Sequence, residues 1–374
     1  MITHEFPPGR GGIGTYASQL ARGAQELGHE MTVVAPDFGR ELAASDRSDY
    51  PFEVVRYRAH RYSCRQLAAV IWRAWRWSRR RRYDVLHAVD SAYVMALAFL
   101  NKLSKVSFVA TVYGSDILSM PSSKQARLLR VPGLFERADQ VFAISRFTRD
   151  LLLTRCPRIP PERVLVTPLG VDPRWFELAM SVGTVLEKHS VPESRRIVLT
   201  VARLDERKGH RTVLRGIAKL DPRLKRNLSY VVVGGYGNTA YFRELNELAA
   251  SCGARVRFTG DIPDEELHAL YAAADIYCMP GEAHPRKVEG FGLAYLEAAA
   301  QRTPSIASRV GGAPEAVLHE QTGILIDPGD DAALCAALTR LLTDESCREQ
   351  LGNGAYERAK SLDWKKCAGM TYGE

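Results

Sequence analysis

Short runs of β-branched and aromatic residues alternate with helical stretches along almost the whole chain, and this alternation constrains the fold more than any other feature. The runs of the first half are MTVVAP, DVLHAV, SFVATVYG, QVFAIS and RVLVTPLG. Those of the second half are RIVLTVARL, YVVVGGYG, VRFTG, DIYCMPG, PSIAS and GILID. Strands that are apolar throughout and separated by helices are buried on both faces of parallel sheets built from βαβ units. The sequence therefore predicts an α/β fold.

The alternation is interrupted once, and the interruption predicts a domain boundary. A chain of 374 residues is too long for one ordinary core, so two domains are expected. We expect two doubly wound, Rossmann-like domains at 1–172 and 196–357, joined by a linker at 173–195, with a ligand in the cleft between them.

The first strand is short for the centre of a sheet. Only Met1, Ile2 and Thr3 precede the glycine-rich loop HEFPPGRGGIG, whereas a strand usually has about five or six residues. Two explanations stand: the sheet tolerates a short strand, or the true start of the protein lies elsewhere.

Charge and cysteine content restrict the class of partner and the compartment. The net charge of +8 favours an anionic partner, which includes nucleotides, phosphates, anionic lipids and nucleic acids. The seven cysteines are scattered without a C-x-x-C pair, which predicts reduced thiols and no structural zinc. No apolar run reaches the ~20 residues of a membrane helix, and MITHEF has no apolar signal core. We expect a cytoplasmic protein.

Two glycine-rich turns follow predicted strands. Gly12 lies in the opening loop just before a helix, and Gly234 and Gly235 end the strand YVVVGG. Glycine allows backbone to approach a ligand closely, and a helix N-terminus or the carboxyl end of a parallel strand favours phosphate binding. Each turn is equally compatible with a purely structural role.

Cations and carboxylates occur at the ends of other predicted strands. Arg203 and Lys208 follow a strand and precede a helix, which suits a diphosphate, although a solvated charged loop would look the same. Glu289 and Glu297 flank the turn Gly290-Phe291-Gly292, with a helix predicted from about Phe291. At ~1.5 Å per residue the two carboxylates lie on the order of 10 Å apart. Carboxylates accept several hydrogen bonds from sugar hydroxyls, but a surface pair of glutamates is the alternative.

The order of these features resembles family 4 of the retaining glycosyltransferases, which have the GT-B fold. VARLDERKG, AADIYCMPG, VEGFGLAYLEAAA and ASRVGGAPEAVLHEQTGILIDPGD carry the resemblance in the second half. FPPGRGGIGTYA, DVLHA, YGSD, AISRFT and TPLGVD carry it in the first half. FPPGRGGI and KVEGFG are similar to phosphatidylinositol mannosyltransferases, a hint toward GDP-mannose.

The resemblance implies roles for individual residues. Arg203 and Lys208 would hold the donor diphosphate, Glu289 would face the transferred sugar, and Glu297 would bind the ribose hydroxyls. Backbone groups of Phe291, Gly292 and Leu293 would contact phosphate or sugar, Gly12 would close on the phosphates or the acceptor, and the Gly234–Gly235 turn would lie beside the donor. A C-terminal helix at about 358–374 would pack back on the N-terminal domain. The implied reaction is retaining transfer without a metal or other cofactor.

One position departs from the family pattern. Many relatives carry histidine where this chain has Tyr113 in ATVYGSDI. Tyrosine can donate a hydrogen bond but is not cationic, so we expect Tyr113 to orient the transferred sugar. The alternative is altered donor choice or weak activity. Asp116 either contributes to the acceptor side or caps the following helix.

The segment CRQLAAVIWRAWRWSRRRRYD predicts a basic amphipathic helix. Its predicted apolar face contains Leu67, Val70, Ile71, Ala74 and Trp77, and the opposite face contains Trp72, Arg73, Arg76, Arg79 and Arg80. An exposed tryptophan among arginines is typical of a helix on anionic lipid or beside a lipid-linked acceptor. A plain helix with a solvated basic face is the alternative, and nucleic acid is disfavoured.

We therefore expect a retaining, metal-independent hexosyltransferase that uses a UDP- or GDP-sugar. Its acceptor would be a lipid-linked or cell-surface glycan at the inner face of the membrane. Glycosylation of a soluble small molecule and a non-catalytic nucleotide-sugar-binding protein are the rivals. An epimerase or a phosphorylase fits less well, because the order of motifs is that of transferases.

Overall fold

A computed structural model describes residues 1–9, 11–58, 64–79, 83–119, 133–178, 180–193 and 195–373, with backbone only for 64–67. The chain forms two compact units. The N-terminal unit comprises Met1–Gly170 and Asp363–Glu374, and the C-terminal unit comprises Val171–Leu362.

Both units consist of parallel strands alternating with helices. The strands are β1 Thr32–Pro36, β2 Glu53–Tyr57, β3 His87–Ala88, β4 Val109–Val112, β5 Gln140–Ala143, β6 Val164–Val166, β7 Arg196–Val201, β8 Leu228–Val233, β9 Arg255–Gly260, β10 Ile276–Met279, β11 Ser305–Ser308 and β12 Gly323–Ile326. Within the described residues, the first eight helices are α1 Gly12–Glu26, α2 Ala43–Asp49, α3 Cys64–Ser78, α4 Ser91–Ser104, α5 Ser115–Ser119, α6 Arg146–Arg155, α7 Val182–Lys188 and α8 His210–Ala218. The others are α9 Pro222–Arg226, α10 Thr239–Ser251, α11 Asp264–Ala273, α12 Leu293–Ala300, α13 Ala313–Ala316, α14 Asp331–Thr343, α15 Glu345–Ser361 and α16 Trp364–Tyr372. Within the described ranges, no helix combines the length and the apolar character that crossing a bilayer requires.

The short first strand lies in the middle of the N-terminal sheet. Ile2 pairs in parallel with Val34 in β1 on one side and with Ala88 in β3 on the other. It thereby joins the β1–β2 pair to the run β3-β4-β5-β6. The residues before the glycine-rich loop therefore lie at the centre of this sheet.

The strand β2 is absent from the sequence-based prediction. It pairs with β1 in register from Thr32 opposite Glu53 to Pro36 opposite Tyr57. All of its residues are exposed or only partly buried, because it lies at the edge of the sheet. Charged residues within EVVRY hide the apolar pattern by which buried strands are found.

The sheet of the C-terminal unit has the order β9-β8-β7-β10-β11-β12, and all its pairs are parallel. The chain order reverses between β7 and β10. In open α/β sheets, ligands bind outside the carboxyl ends of the strands at such a switch point. The turn after β7 and the loop after β10 are therefore the segments that define the site.

The segment expected as a linker is counted with the C-terminal unit. Trp175 is buried, and so are Val185 and Leu186 of α7. Trp175 packs on Tyr271 of α11, with ring centroids 5.7 Å apart. Because these apolar side chains need a core, the segment folds onto the unit that follows it.

The C-terminal end of the chain packs on the N-terminal unit over a shorter range than expected. The helix α15 continues to Ser361 within the C-terminal unit, and α16 begins only after Asp363, whose carboxylate accepts from the backbone N–H of Lys365. The hydroxyl of Tyr372 in α16 lies 2.6 Å from Nδ1 of His87. Burial lowers the pKa of His87 to about 3, so this hydrogen bond links two neutral groups.

Candidate active site

The turn after β7 and the loop after β10 pack tightly against each other. The backbone N–H of Glu282 donates to the carbonyl of Arg207 at 2.8 Å. Gly209 has a φ of 77°, and a Cβ there would lie 1.9 Å from the carbonyl oxygen of Pro280. Only glycine satisfies both demands. The close approach holds the 3₁₀ turn Glu206–Lys208 against the strand ends of the switch point.

Two cations and one carboxylate form the centre of this site. The Glu289 carboxylate accepts from Nη1 of Arg207 at 3.0 Å and from Nζ of Lys208 at 2.5 Å. The three side chains are only 13–19% exposed. Burial raises the pKa of Glu289, but the charges and hydrogen bonds of Lys208 and Arg207 outweigh it, so the pKa lies below its usual value. Glu289 is therefore ionised at neutral pH.

Backbone packing fixes the loop that carries Glu289. The N–H of Gly312 donates to the carbonyl of Glu289 at 2.8 Å, and a Cβ on Gly312 would lie 1.9 Å from the carbonyl oxygen of Gly290. The Phe291 side chain is buried and anchors the loop in the core. Gly292 has a φ of 102° and precedes α12. The carboxylate is therefore presented by a closely packed backbone.

A small pocket lies beside Glu289 and its two cations in the C-terminal unit. It is lined by Arg207, Lys208, Met279, Gly281, Glu282, Glu289, Tyr295, Ser308, Val310 and Ala313. The Tyr295 hydroxyl is engaged, since it donates to the carbonyl of Met279 at 2.6 Å. The Ser308 hydroxyl is buried and has no hydrogen-bond partner among the described residues. It can therefore bond to a ligand in this pocket.

The second carboxylate has a different environment. Glu297 in α12 accepts from the hydroxyl of Tyr271 at 2.9 Å. Burial raises the pKa of Glu297 to about 7, with the Tyr271 hydrogen bond acting in the opposite direction. Glu297 is therefore divided between the acid and the carboxylate at neutral pH, whereas Glu289 stays charged.

The remaining predicted donor residues lie around the same strand ends. Arg203 is exposed and lies outside the residues that line the pocket. Gly234 and Gly235 follow β8, and the N–H of Gly235 donates to Asp261 at 2.9 Å. Leu293 begins α12, which has no side-chain cap, so the N–H groups of its first turn suit an anion.

Two of the predicted residues of the N-terminal unit, Gly12 and Asp116, lie at the beginning of helices. Gly12 begins α1, and open space surrounds the position of its missing Cβ. The Asp116 carboxylate accepts from the N–H of Tyr113 at 3.0 Å and from that of Ile117 at 2.9 Å, so it stabilises the turn into α5. Burial raises the pKa of Asp116 to about 6, against the effect of these backbone bonds.

The basic helix differs from the expected wheel at Arg73. Val70, Ala74 and Trp77 are buried as predicted, and Trp72 is 53% exposed. Arg73 is not on the solvent face: its guanidinium lies 4.0 Å from the centroid of the Tyr57 ring. Position 73 borders the buried face one turn before Trp77, and aromatic rings stack well with guanidinium. Leu67, by its side chain, and Arg80 lie outside the described residues.

Two residues of the site were not predicted from the sequence. Arg207 contacts Glu289, although only Arg203 and Lys208 were expected among the cations of the site, and Ser308 lines the pocket. The signal for Arg207 was its position beside Lys208 in a turn that ends at Gly209. Ser308 carried no signal beyond its place at the end of a predicted strand.

The pKa of Glu297 predicts a pH-dependent stability. Between pH 5 and about 7 the folded state holds a proton that the unfolded state has released, so the free energy of unfolding falls as the pH rises. The unfolding midpoint of the wild type relative to Glu297→Gln should therefore decrease across this window. Thermal melts in matched buffers measure the difference.

The control is Glu289→Gln. The unfolding midpoint of the wild type relative to this variant should stay constant in this window, because a lowered pKa acts at more acidic pH. Parallel profiles for the wild type and Glu297→Gln would contradict the prediction.

Models of glycosyltransferase families match both halves of the chain. The model of Glycosyltransferase Family 4 matches residues 10–175, and that of Glycosyl transferases group 1 matches residues 183–358. The chain is 30% identical to the GDP-mannose-dependent alpha-(1-6)-phosphatidylinositol monomannoside mannosyltransferase of Mycolicibacterium smegmatis, over 97% of this chain and 93% of the relative. It is 34% identical to the D-inositol 3-phosphate glycosyltransferase of Corynebacterium diphtheriae, over 77% of this chain and 69% of the relative.

Solved structures show the same fold. The crystal structure of Anabaena Alr3699/HepE in complex with UDP and glucose superimposes with a TM-score of 0.77 at 21% identity, covering 99% of this chain and 96% of that one. The fold class is GT-B, with two Rossmann-like domains, as the sequence predicted. Together with the relative that matches over almost its full length, these findings show that the chain belongs to glycosyltransferase family 4.

Proposed function

We propose that this glycosyltransferase moves a hexose, with retention of configuration, from a nucleoside diphosphate sugar to a lipid-linked or cell-surface glycan acceptor. The observation that carries the proposal is the pairing of Arg207 and Lys208 with Glu289 at the switch point of the C-terminal sheet. Relatives named for GDP-mannose and for phosphatidylinositol monomannoside favour GDP-mannose as the donor and a lipid-linked acceptor.

The cations of the site stabilise the negative charge that develops on the leaving diphosphate. A donor diphosphate carries more charge than a carboxylate, so it competes with Glu289 for Lys208 and Arg207. Arg203 is exposed nearby in sequence and can add a bidentate contact. As the bond between the sugar C1 and the phosphate oxygen breaks, negative charge grows on the diphosphate, and these fixed cations stabilise it. Glu289, released from the cations, can then accept hydrogen bonds from the sugar hydroxyls.

The remaining step needs no protein base. The acceptor oxygen bonds to C1 on the face that the diphosphate leaves, and its proton passes to a phosphate oxygen of the leaving group. This front-face order retains the configuration at C1. We propose that the protein cations replace a metal in this role.

Donor binding and slow donor hydrolysis test the proposal. We expect one sugar nucleotide among UDP-, GDP- and ADP-sugars, GDP-mannose first, to bind and to hydrolyse slowly with its anomeric configuration retained. Arg203→Ala and Lys208→Gln should each weaken binding by about tenfold or more, the usual effect of losing a charged hydrogen bond. Isothermal titration and NMR of the released sugar measure both quantities.

The matched control is Lys225→Gln, since the ammonium of Lys225 donates to the carbonyl of Ala218 and lies outside the residues that line the pocket. It should leave donor affinity unchanged. Tyr113→Phe in the same assay should slow turnover if the hydroxyl orients the sugar. Selective binding without hydrolysis or transfer would instead indicate a non-catalytic sugar-nucleotide-binding protein. Failure of every donor to bind would contradict the proposal.

We further propose that α3 holds the protein at an anionic membrane surface on the cytoplasmic side. Trp72 is 53% and Trp75 41% exposed. Arg76 lies 5.5 Å from the Trp72 ring and Arg79 lies 5.2 Å from the Trp75 ring. Tryptophans combined with arginines on one helix surface suit the headgroup region of anionic lipid.

Vesicle binding tests this surface. The variant Arg76→Gln/Arg79→Gln should bind vesicles of phosphatidylglycerol and phosphatidylcholine more weakly, since each arginine near such a surface contributes about 1 kcal/mol. Sedimentation of the vesicles measures the bound fraction. The control Arg223→Gln/Arg226→Gln removes the same charge from exposed positions of α9. Equal loss in both variants would show non-specific attraction, and absence of wild-type binding at low salt would refute the membrane surface.

A further inference from the structure

Two residues that line the pocket beside Glu289 each carry a buried polar atom without a hydrogen-bond partner. Ser308, the last residue of β11, is 1% exposed, and its Oγ bonds to none of the described residues. The Nε of Arg207 is likewise buried and unpartnered among them. Both residues line the same pocket. Because buried polar groups are nearly always satisfied by protein or by ordered water, the pair indicates one small ligand that bonds to both.

The other contacts of Arg207 leave its Nε–H group available. Its Nη1 donates to Oε2 of Glu289 at 3.0 Å. The Oδ1 atom of Asp205 lies 4.0 Å from Nε, which is too far for a hydrogen bond. A charged N–H group is therefore buried at the edge of the pocket and requires an acceptor.

The size and the charges of the pocket restrict this ligand to water. The space that water can occupy is about 10 Å³, which suits one molecule and excludes a sugar or a phosphate. The lining includes the cations Arg207 and Lys208 and the carboxylates Glu282 and Glu289. The carboxylates repel a small anion, and the two cations repel a metal ion. A water molecule both donates and accepts, so it matches a lining of mixed charge.

The two carboxylates provide acceptors for the hydrogens of this water. Lys208 and Arg207 both donate to Oε2 of Glu289, so Oε1 remains an acceptor within the described residues. The Oε1 atom of Glu282 accepts from the Thr212 hydroxyl at 2.8 Å, which leaves Oε2. A buried water usually makes about three hydrogen bonds, and the pocket offers that number.

We propose that this pocket holds one ordered water molecule, which accepts from Nε of Arg207 and from the Ser308 hydroxyl and donates to the carboxylates. Ser308 is then a positioning residue, because through the water it fixes the guanidinium that pairs with Glu289. When a diphosphate draws Nη1 away from Glu289, the water still holds Nε, so the guanidinium stays in the site. This contribution to donor binding rests on the proposed function, whereas the presence of the water rests on the pocket alone.

A crystal structure of the wild type without donor, at a resolution that shows ordered water, tests the presence of the molecule. We expect one peak within hydrogen-bond distance of Nε of Arg207 and of Oγ of Ser308. A crystal soaked in bromide should show no anomalous signal at this position. An empty pocket, or bromide within it, would overturn the proposal. This experiment depends neither on the folding of a variant nor on the binding of a donor.

Isothermal titration of GDP and UDP tests the positioning role of Ser308. Ser308→Ala removes one partner of the water, and Ser308→Val fills its space with methyl groups. Binding of the preferred diphosphate should weaken about threefold in Ser308→Ala and about tenfold in Ser308→Val. If Ser308→Val fails to fold, Ser308→Ala decides.

The matched control is Ser229→Ala. Ser229 is a buried serine of β8 in the same sheet, its hydroxyl is also unpartnered among the described residues, and it lies outside the pocket. Ser229→Ala should retain the wild-type affinity, whatever its effect on the unfolding midpoint. Wild-type affinity in both Ser308 variants, or an equal loss in Ser229→Ala, would refute the positioning role. If the wild type binds neither diphosphate, the proposed function fails, and the crystal structure still decides whether the water is present.

Discussion

The candidate site of the C-terminal unit depends on one interaction, a carboxylate held between two cations. Glu289 pairs with Arg207 and Lys208, and none of the three is more than one-fifth exposed. The close approaches of Gly209 to Pro280 and of Gly312 to Gly290 place the loops that carry them. Removing one partner from a buried ion pair costs about 3–5 kcal/mol, so the Glu289 carboxylate holds the two cations in place. In the proposed reaction, a diphosphate exchanges with this carboxylate rather than entering a bare cationic pocket.

Glu289 and Glu297 lie in one short segment but have different protonation states, because their surroundings differ. Glu289 is ionised because cations outweigh its burial, whereas burial raises the pKa of Glu297 to about 7 beside the neutral hydroxyl of Tyr271. In the proposed reaction, a permanently charged group suits the competition with a diphosphate. A group that can carry a proton suits hydrogen bonds with hydroxyls, as either donor or acceptor.

The sequence predicted the parallel α/β architecture, because buried parallel strands read as uninterrupted apolar runs. It missed β2, whose charged residues at the sheet edge break that pattern. It placed Glu289 and Lys208 in one site but did not identify Arg207, since the direction of a side chain on a 3₁₀ turn follows from tertiary packing. It also put Arg73 on the solvent face. A helical wheel cannot reveal that Tyr57 and Tyr93 lie beside that position.

The affinity of the C-terminal site for a nucleoside diphosphate tests the exchange most directly. Titration of GDP and UDP into the wild type, Glu289→Gln and Glu289→Gln/Lys208→Gln would measure it. Glu289→Gln removes the competing carboxylate, so it should bind the preferred diphosphate several-fold more tightly than the wild type, and the double variant should lose that gain. Equal or weaker binding by Glu289→Gln would show that Glu289 does not compete for the cations and would contradict the central claim.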